Sequence, residues 1–109
     1  IAPDLLSLLT LTSGDYRRLV KHSAMRRTTR AQLMRNAAVA LGNSGNPEVV
    51  DTLASSLESN PYPLVRGHIA WALGQLDTDQ SRDALSKALQ HEDDSWVREE
   101  IDSALKGLM

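Results

Sequence analysis

The side chains best suited to chemistry in this sequence are basic, and they cluster near its start. Residues 1–35 contain seven Lys or Arg against two carboxylates, a balance of +5, whereas the rest contains five against twelve, a balance of −7. The candidate binding residues are Arg17, Arg18, Lys21, Arg26, Arg27, Arg30, Arg35 and Asn36. Guanidinium groups bind phosphate oxygens through a fixed fork of two hydrogen bonds, and clustered cations attract phosphate over long range. The pattern favours a nucleic-acid backbone as partner, with a solvated basic face as the alternative.

The spacing of these cations predicts how a helix would present them. Between residues 15 and 22, Tyr16, Leu19 and Val20 share one side of a helix, while the three cations of this segment share the other. Arg26, Arg27 and Arg30 follow at spacings that also align on a helical turn. Aromatic residues are not interleaved with the cations, so base stacking and sequence-specific contacts are not predicted there. We expect phosphate contacts.

Other polar groups carry weaker signals. His68 and Trp71 are three residues apart and could stack on an exposed base, but a partly buried structural pair is the preferred interpretation. The acidic run at 92–94 beside His91 precedes a helix, where carboxylates act as caps and favour the positive end of the dipole. Residues 77–88 lack the glycine and the last glutamate of a calcium loop. The chain has no cysteine, which excludes disulfides and iron–sulfur ligands within it. We predict no catalytic and no metal site.

An internal repeat predicts the elements that position these groups. The segment AAVALG at 37–42 returns 32 residues later as IAWALG at 69–74, and more faintly as IDSALK at 101–106. A fixed period of this size is typical of stacked helical hairpins, so we predict an all-α solenoid. The equivalent apolar positions form one stripe per helix: Leu33, Ala37, Ala40 and Leu41; Val65, Ile69, Ala72 and Leu73; Val97, Ile101, Ala104 and Leu105.

Turn and capping residues set the expected helix limits. The predicted helices are 29–42, 47–59, 63–75, 79–90 and 95–107. Gly42 is expected to end the first in a left-handed cap, Asn46 to cap the second and Pro47 to occupy its first turn. Asp94 or Ser95 is expected to cap the last. We expect residues 1–30 to form a basic helical cap or linker, and residues 31–109 an array of about two and a half units.

Two segments together resemble a known family. SAMRRTTRAQLMRNAAVALGNSGNPEVV at 23–50, followed by PLVRGHIAWALG at 63–74, resembles the C-terminal HEAT-like region of bacterial epoxyqueuosine reductases. The specific part is the basic pair Arg26 and Arg27 leading to Arg35 and Asn36, which run directly into the repeat. The resemblance implies HEAT-like repeats and a parent oxidoreductase that reduces epoxyqueuosine in the wobble position of tRNA, using cobalamin and two [4Fe-4S] clusters held in a missing N-terminal core.

The same resemblance implies a non-catalytic role for this segment in holding the tRNA anticodon stem-loop against that core. It points to Arg26, Arg27, Arg35 and Asn36, with Arg17, Arg18, Lys21 and Arg30 as less specific phosphate contacts. We expect a fragment of a cytoplasmic protein, monomeric and without a membrane span. The alternative is a protein-interaction scaffold of the general HEAT type, which would need an exposed apolar groove.

Overall fold

The protein is a stack of helices in the computed structural model, which describes residues 4–21 and 29–107. The helices in that part of the chain are α1 Leu5–Leu9, α2 Ser13–Lys21, α3 Arg30–Asn43, α4 Val50–Ser59, α5 Pro63–Leu76, α6 Asp79–Leu89 and α7 Ser95–Gly107. A 3-10 turn, Pro47–Val49, leads into α4. The five predicted repeat helices are therefore confirmed to within one residue, apart from this turn.

The repeated helices α3, α5 and α7 lie side by side, with α4 and α6 packed against them. The predicted stripe forms their contact surface, because nine of its twelve positions are buried. Ala40, Ala104 and Leu105 are half-buried. On the front side, α1 packs against α3 and contributes the fully buried Leu9. The described part measures 44 × 28 × 17 Å, the elongated form expected of a short stack.

The predicted role of Gly42 is wrong. Gly42 lies inside α3, and the glycine with positive φ is Gly45, at 67°. A Cβ on Gly42 would lie 2.8 Å from the Cα of Ala72 and 2.9 Å from Cζ3 of Trp71. The repeat therefore requires a small residue here because two helix backbones approach closely, and the helix ends one residue later.

The other predicted caps are confirmed. Asn46 Oδ1 accepts the backbone N–H of Glu48 at 3.0 Å, and Pro47 occupies the first turn that follows. Asp94, rather than Ser95, caps α7 by accepting the N–H of Val97 at 3.0 Å. These side chains satisfy N–H groups that a helix start leaves without an intrahelical partner.

Two arginines of the repeat stabilise the connections between units. Arg66 Nη1 donates to the backbone oxygen of Asn60 at 2.9 Å, and Arg98 Nη1 donates to that of Glu92 at 2.8 Å. Each bond spans six residues, and the two lie one period apart. Arg66 also binds Glu92 with two hydrogen bonds, Nε to Oε1 at 2.8 Å and Nη2 to Oε2 at 3.0 Å. These cations therefore have structural partners within the stack.

Candidate functional site

Helix α2 presents a cationic face. Arg17, Arg18 and Lys21 are exposed, whereas the apolar residues predicted to pack, Tyr16, Leu19 and Val20, are half-buried. The amphipathic pattern predicted for this segment is therefore confirmed, within a helix that runs from 13 to 21. No side chain of α2 is fully buried, so the cations lie on a shallowly packed helix where a large anionic partner can reach them.

One carboxylate is part of this face. Asp15 forms an ion pair with Arg18, whose side chain is 73 % exposed. A hydrogen bond with Thr12 lowers the pKa of Asp15, partial desolvation raises it, and Arg18 lowers it further, so the pKa lies below its ordinary value. Asp15 is consequently ionised near neutral pH and offsets one of the three positive charges. Arg17 and Lys21 provide the remaining charge of this helix face.

Arg30 connects α3 to the start of α2. Its Nε donates to the backbone oxygen of Leu11 at 2.7 Å, and its Nη1 lies 3.4 Å from Ser13 Oγ. The same nitrogen lies 3.4 Å from the hydroxyl of Tyr62, and the guanidinium lies 5.5 Å from the centre of that ring. Arg30 thus positions the basic helix relative to the repeats, and these contacts occupy donors that a phosphate would need.

Arg35 and Asn36 form an oriented pair on α3. Arg35 is half-buried and its Nε donates to Asn36 Oδ1 at 2.9 Å, while Asn36 is exposed. The amide thereby restrains the guanidinium. Arg26 and Arg27 lie outside the described residues. Their contribution, and the phosphate contacts of the whole set, stay predictions.

The second aromatic candidate has a different partner from the one predicted. His68 packs against Trp96 of α7, with ring centroids 5.7 Å apart and planes at 51°, and its Nδ1 lies 2.8 Å from the backbone oxygen of Leu64. Trp71 lines the same surface cleft. Residues on three helices meet there, so the pairing of His68 and Trp71 alone missed Trp96. The period of 32 makes Trp96 of α7 equivalent to Leu64 at the start of α5. This equivalence is the sequence signal that could have identified Trp96.

The described part of the chain shows neither a metal-binding cluster nor a membrane-spanning helix. No group of three or more His, Cys, Asp or Glu residues within 4–21 and 29–107 could hold a metal ion. The complete sequence also lacks the thiolates that iron–sulfur clusters require. The residues of this chain therefore do not fit a [4Fe-4S] cluster. Within the same described ranges, none of the helices has the length and apolar character needed to cross a bilayer.

Known proteins resemble this chain in both sequence and structure. The family model of HEAT repeats matches residues 2–106. The epoxyqueuosine reductase of Bacillus anthracis is 32 % identical over 108 residues, which cover 97 % of this chain and 28 % of that protein. The chain thus spans little more than a quarter of the length of the curated relatives it matches first.

Solved structures give the same result. An epoxyqueuosine reductase from Bacillus subtilis superposes with a TM-score of 0.90 and 26 % identity, over 98 % of this chain and 29 % of that one. An epoxyqueuosine reductase bound to an epoxyqueuosine-modified tRNA-Tyr stem loop superposes with a TM-score of 0.89 and 26 % identity, over 97 % of this chain and 28 % of that one. The predicted helical-repeat fold and the predicted resemblance are both confirmed.

Proposed function

We propose a function for this chain, which belongs to the HEAT repeat family. It is a non-catalytic docking module of an epoxyqueuosine reductase-like protein, and it holds a tRNA anticodon stem-loop during reduction of epoxyqueuosine to queuosine. The observation that carries the proposal is the superposition, over nearly the whole chain, on a reductase that is bound to a tRNA stem loop. The reduction itself belongs to a catalytic core elsewhere in the protein. Cobalamin and two [4Fe-4S] clusters would bind in that core, for which this chain provides no cysteine.

Phosphate contacts from the basic end of the stack are the proposed mechanism. An RNA stem is recognised mostly through its shape and its phosphates, which suits cations more than base-specific groups. Residues 1–30 would act as the basic cap and residues 31–109 as the rigid array behind it. The proposed contacts are Arg17, Arg18, Lys21, Arg26, Arg27, Arg35 and Asn36. Arg30, which the sequence analysis also named, instead positions the basic helix, because its donors bind Leu11, Ser13 and Tyr62. A tRNA partner implies a cytoplasmic protein, and the proposed contact is made by one copy of the chain.

Salt dependence provides the test. Affinity falls as the salt concentration rises, and each phosphate contact makes the negative slope of log affinity against log salt concentration steeper by about 0.7 to 0.9. Arg17→Ala combined with Lys21→Ala should therefore weaken tRNA binding and make that slope shallower by about 1.5. Lys87→Ala combined with Lys106→Ala removes the same charge from exposed positions in the acidic half, and should leave the slope nearly unchanged.

The predicted basic pair extends the same experiment. Replacing Arg26 and Arg27 by Ala should lower tRNA affinity in the same salt-dependent way. The measurements are made with this chain and repeated with the catalytic core present. Binding that is absent or insensitive to salt in both forms would reject the proposal.

The alternative function is a HEAT-type protein scaffold. It requires a continuous apolar groove along one row of helices. Among the described residues, the exposed large apolar side chains are Leu5, Leu6, Leu64 and Trp96, each 37 or 38 % exposed. They lie at two separate places, α1 and the adjacent starts of α5 and α7. A pull-down that recovers protein but no RNA would favour the scaffold.

A further inference from the structure

An aromatic cleft crosses the row of repeated helices. It encloses about 250 Å³ between α3, α5 and α7 and is lined by Val39, Gly67, His68, Trp71, Trp96 and Glu100. Both tryptophans of the whole chain lie in this lining. Two indoles, an imidazole and a carboxylate in one concave site form a surface with planar apolar walls and a strong hydrogen-bond acceptor.

Two glycines hold the indoles in place. A Cβ on Gly67 would lie 2.2 Å from Cζ3 of Trp96, so the Trp96 ring rests directly on the backbone of α5. The Trp71 ring similarly approaches Gly42 of α3, where a Cβ would lie 2.9 Å away. Packing on backbone restricts both rings, while Trp96 stays 37 % exposed. The stacking surface is therefore largely preformed, which reduces the entropy lost on binding.

The imidazole is also oriented. A backbone carbonyl can only accept a hydrogen bond, so the 2.8 Å contact with Leu64 requires that Nδ1 of His68 carries the proton. His68 therefore contributes a ring face that is held against Trp96.

Charges on the two sides of the cleft have opposite signs. Among the described residues of the lining, Glu100 is the charged one. Arg35 lies one helical turn before Val39 on α3, the helix that lines the other side of the cleft. A phosphate is repelled by Glu100 and attracted by Arg35. An aromatic base with an exocyclic amine suits the indoles and the carboxylate together.

We propose that this cleft binds one unpaired nucleobase of the docked RNA, stacked on Trp71 and Trp96, with its amino edge on Glu100 and its phosphate towards Arg35. This inference rests on the proposed RNA-binding function and adds a base-selective subsite to it. Adenine, cytosine and guanine carry exocyclic amines with two N–H donors. Uracil has one donor on this edge, N3–H, which lies between two carbonyl oxygens that the carboxylate repels. Unpaired RNA bases are commonly recognised by stacking on aromatic side chains.

Intrinsic fluorescence reports directly on the cleft because the chain has two tryptophans and both line it. The protein is titrated at low salt with single-stranded RNA oligomers of cytosine, of uracil, and of abasic nucleotides of equal length. Cytosine should quench the indole emission and bind roughly 5-fold more tightly than uracil, as expected for one additional hydrogen bond. The abasic strand should bind through phosphate contacts without quenching.

Two matched variants separate a binding role from a structural one. Glu100→Gln should abolish the preference for cytosine over uracil, because an amide offers both a donor and an acceptor. Glu99→Gln removes the same charge from the neighbouring exposed position and should retain the preference. Trp71→Ala should weaken cytosine binding on the order of 5- to 100-fold, the range for loss of one stacked base.

Each outcome has a distinct meaning. Salt-dependent RNA binding with equal affinity for the cytosine and abasic strands, and unchanged emission, overturns the cleft proposal but leaves the docking function in place. Loss of all RNA binding overturns both. Quenching by an arginine-rich peptide, but not by any base, would show that the cleft takes a cation and would also overturn the proposal.

Discussion

The ion pair between Arg66 and Glu92 should contribute more to stability than its place at the edge of the stack suggests. Two hydrogen bonds of 2.8 and 3.0 Å join the guanidinium to the carboxylate. The side chains are 17 % and 8 % exposed, so water can solvate only part of a charge that loses its partner. Glu92 Oε2 also accepts the N–H of Asp94 at 3.0 Å, at the start of α7. The pair therefore joins α5 to the loop that orients the next repeat.

Glu92→Gln is the informative change because it keeps the shape and removes the charge. Breaking a buried pair costs about 3 to 5 kcal/mol, and a charge-assisted hydrogen bond contributes about 1.5 to 3 kcal/mol. Arg66 keeps its bond to Asn60 and partial access to water, so we expect a loss of about 2 to 4 kcal/mol in the free energy of unfolding at pH 7. The corresponding fall in Tm is about 8 to 16 °C for a chain of this size.

The effect should depend on pH with a definite sign. Burial raises the pKa of Glu92, but the hydrogen bond from Arg66 and the N–H of Asp94 lower it more, so the net pKa lies below its ordinary value. The unfolded chain then binds a proton more readily than the folded protein does. The stabilisation is therefore complete above the unfolded pKa, about 4.3, and disappears as the pH falls through the lower folded value.

Urea denaturation followed by circular dichroism at several pH values between 3 and 7 measures this difference. Glu58→Gln is the matched control, because Glu58 lies 3.2 Å from Lys87 in an exposed pair and should contribute no more than about 1 kcal/mol. A loss for Glu92→Gln no larger than that of the control, or one that stays constant down to pH 3, would refute the reasoning.

Three further changes test other parts of the stack. Gly42→Ala should lower the free energy of unfolding by about 1 to 2 kcal/mol, since the added methyl lies 2.8 Å from a Cα of α5 and overpacking outweighs the gain in helix propensity. Gly107→Ala is the control and should not destabilise the protein, because nothing lies within 4 Å of the added methyl. Thr29→Ala removes the capping box of α3 and should lower Tm through a loss of about 1 kcal/mol. Arg30→Gln should lower stability in urea because it breaks the 2.7 Å bond to Leu11. Its effect on the salt slope of RNA binding should be smaller than that of Arg17→Ala combined with Lys21→Ala. The opposite ranking would show that Arg30 contacts phosphate.

Some features of the molecule follow from the sequence because they depend on residues close together in the chain. The period of 32 and the capping residues locate the repeat helices within one residue, apart from the 3-10 turn that precedes α4, and the apolar stripe identifies most of the core. The exposed cations of α2 follow from spacing alone. Asn46, Pro47 and Asp94 were found because a cap involves groups within three positions of one another.

Other features required the packed structure, because their partners are distant in sequence and meet only when helices stack. Arg66 and Glu92 are 26 residues apart, and Arg30 and Leu11 are 19 apart. Gly42 looked like a local cap, but its role depends on an α5 backbone that comes 30 residues later. The cleft likewise forms from α3, α5 and α7 together. Local periodicity thus determined which residues form helices, and the close approach of those helices decided which side chains became structural, which stayed exposed and which lined a site.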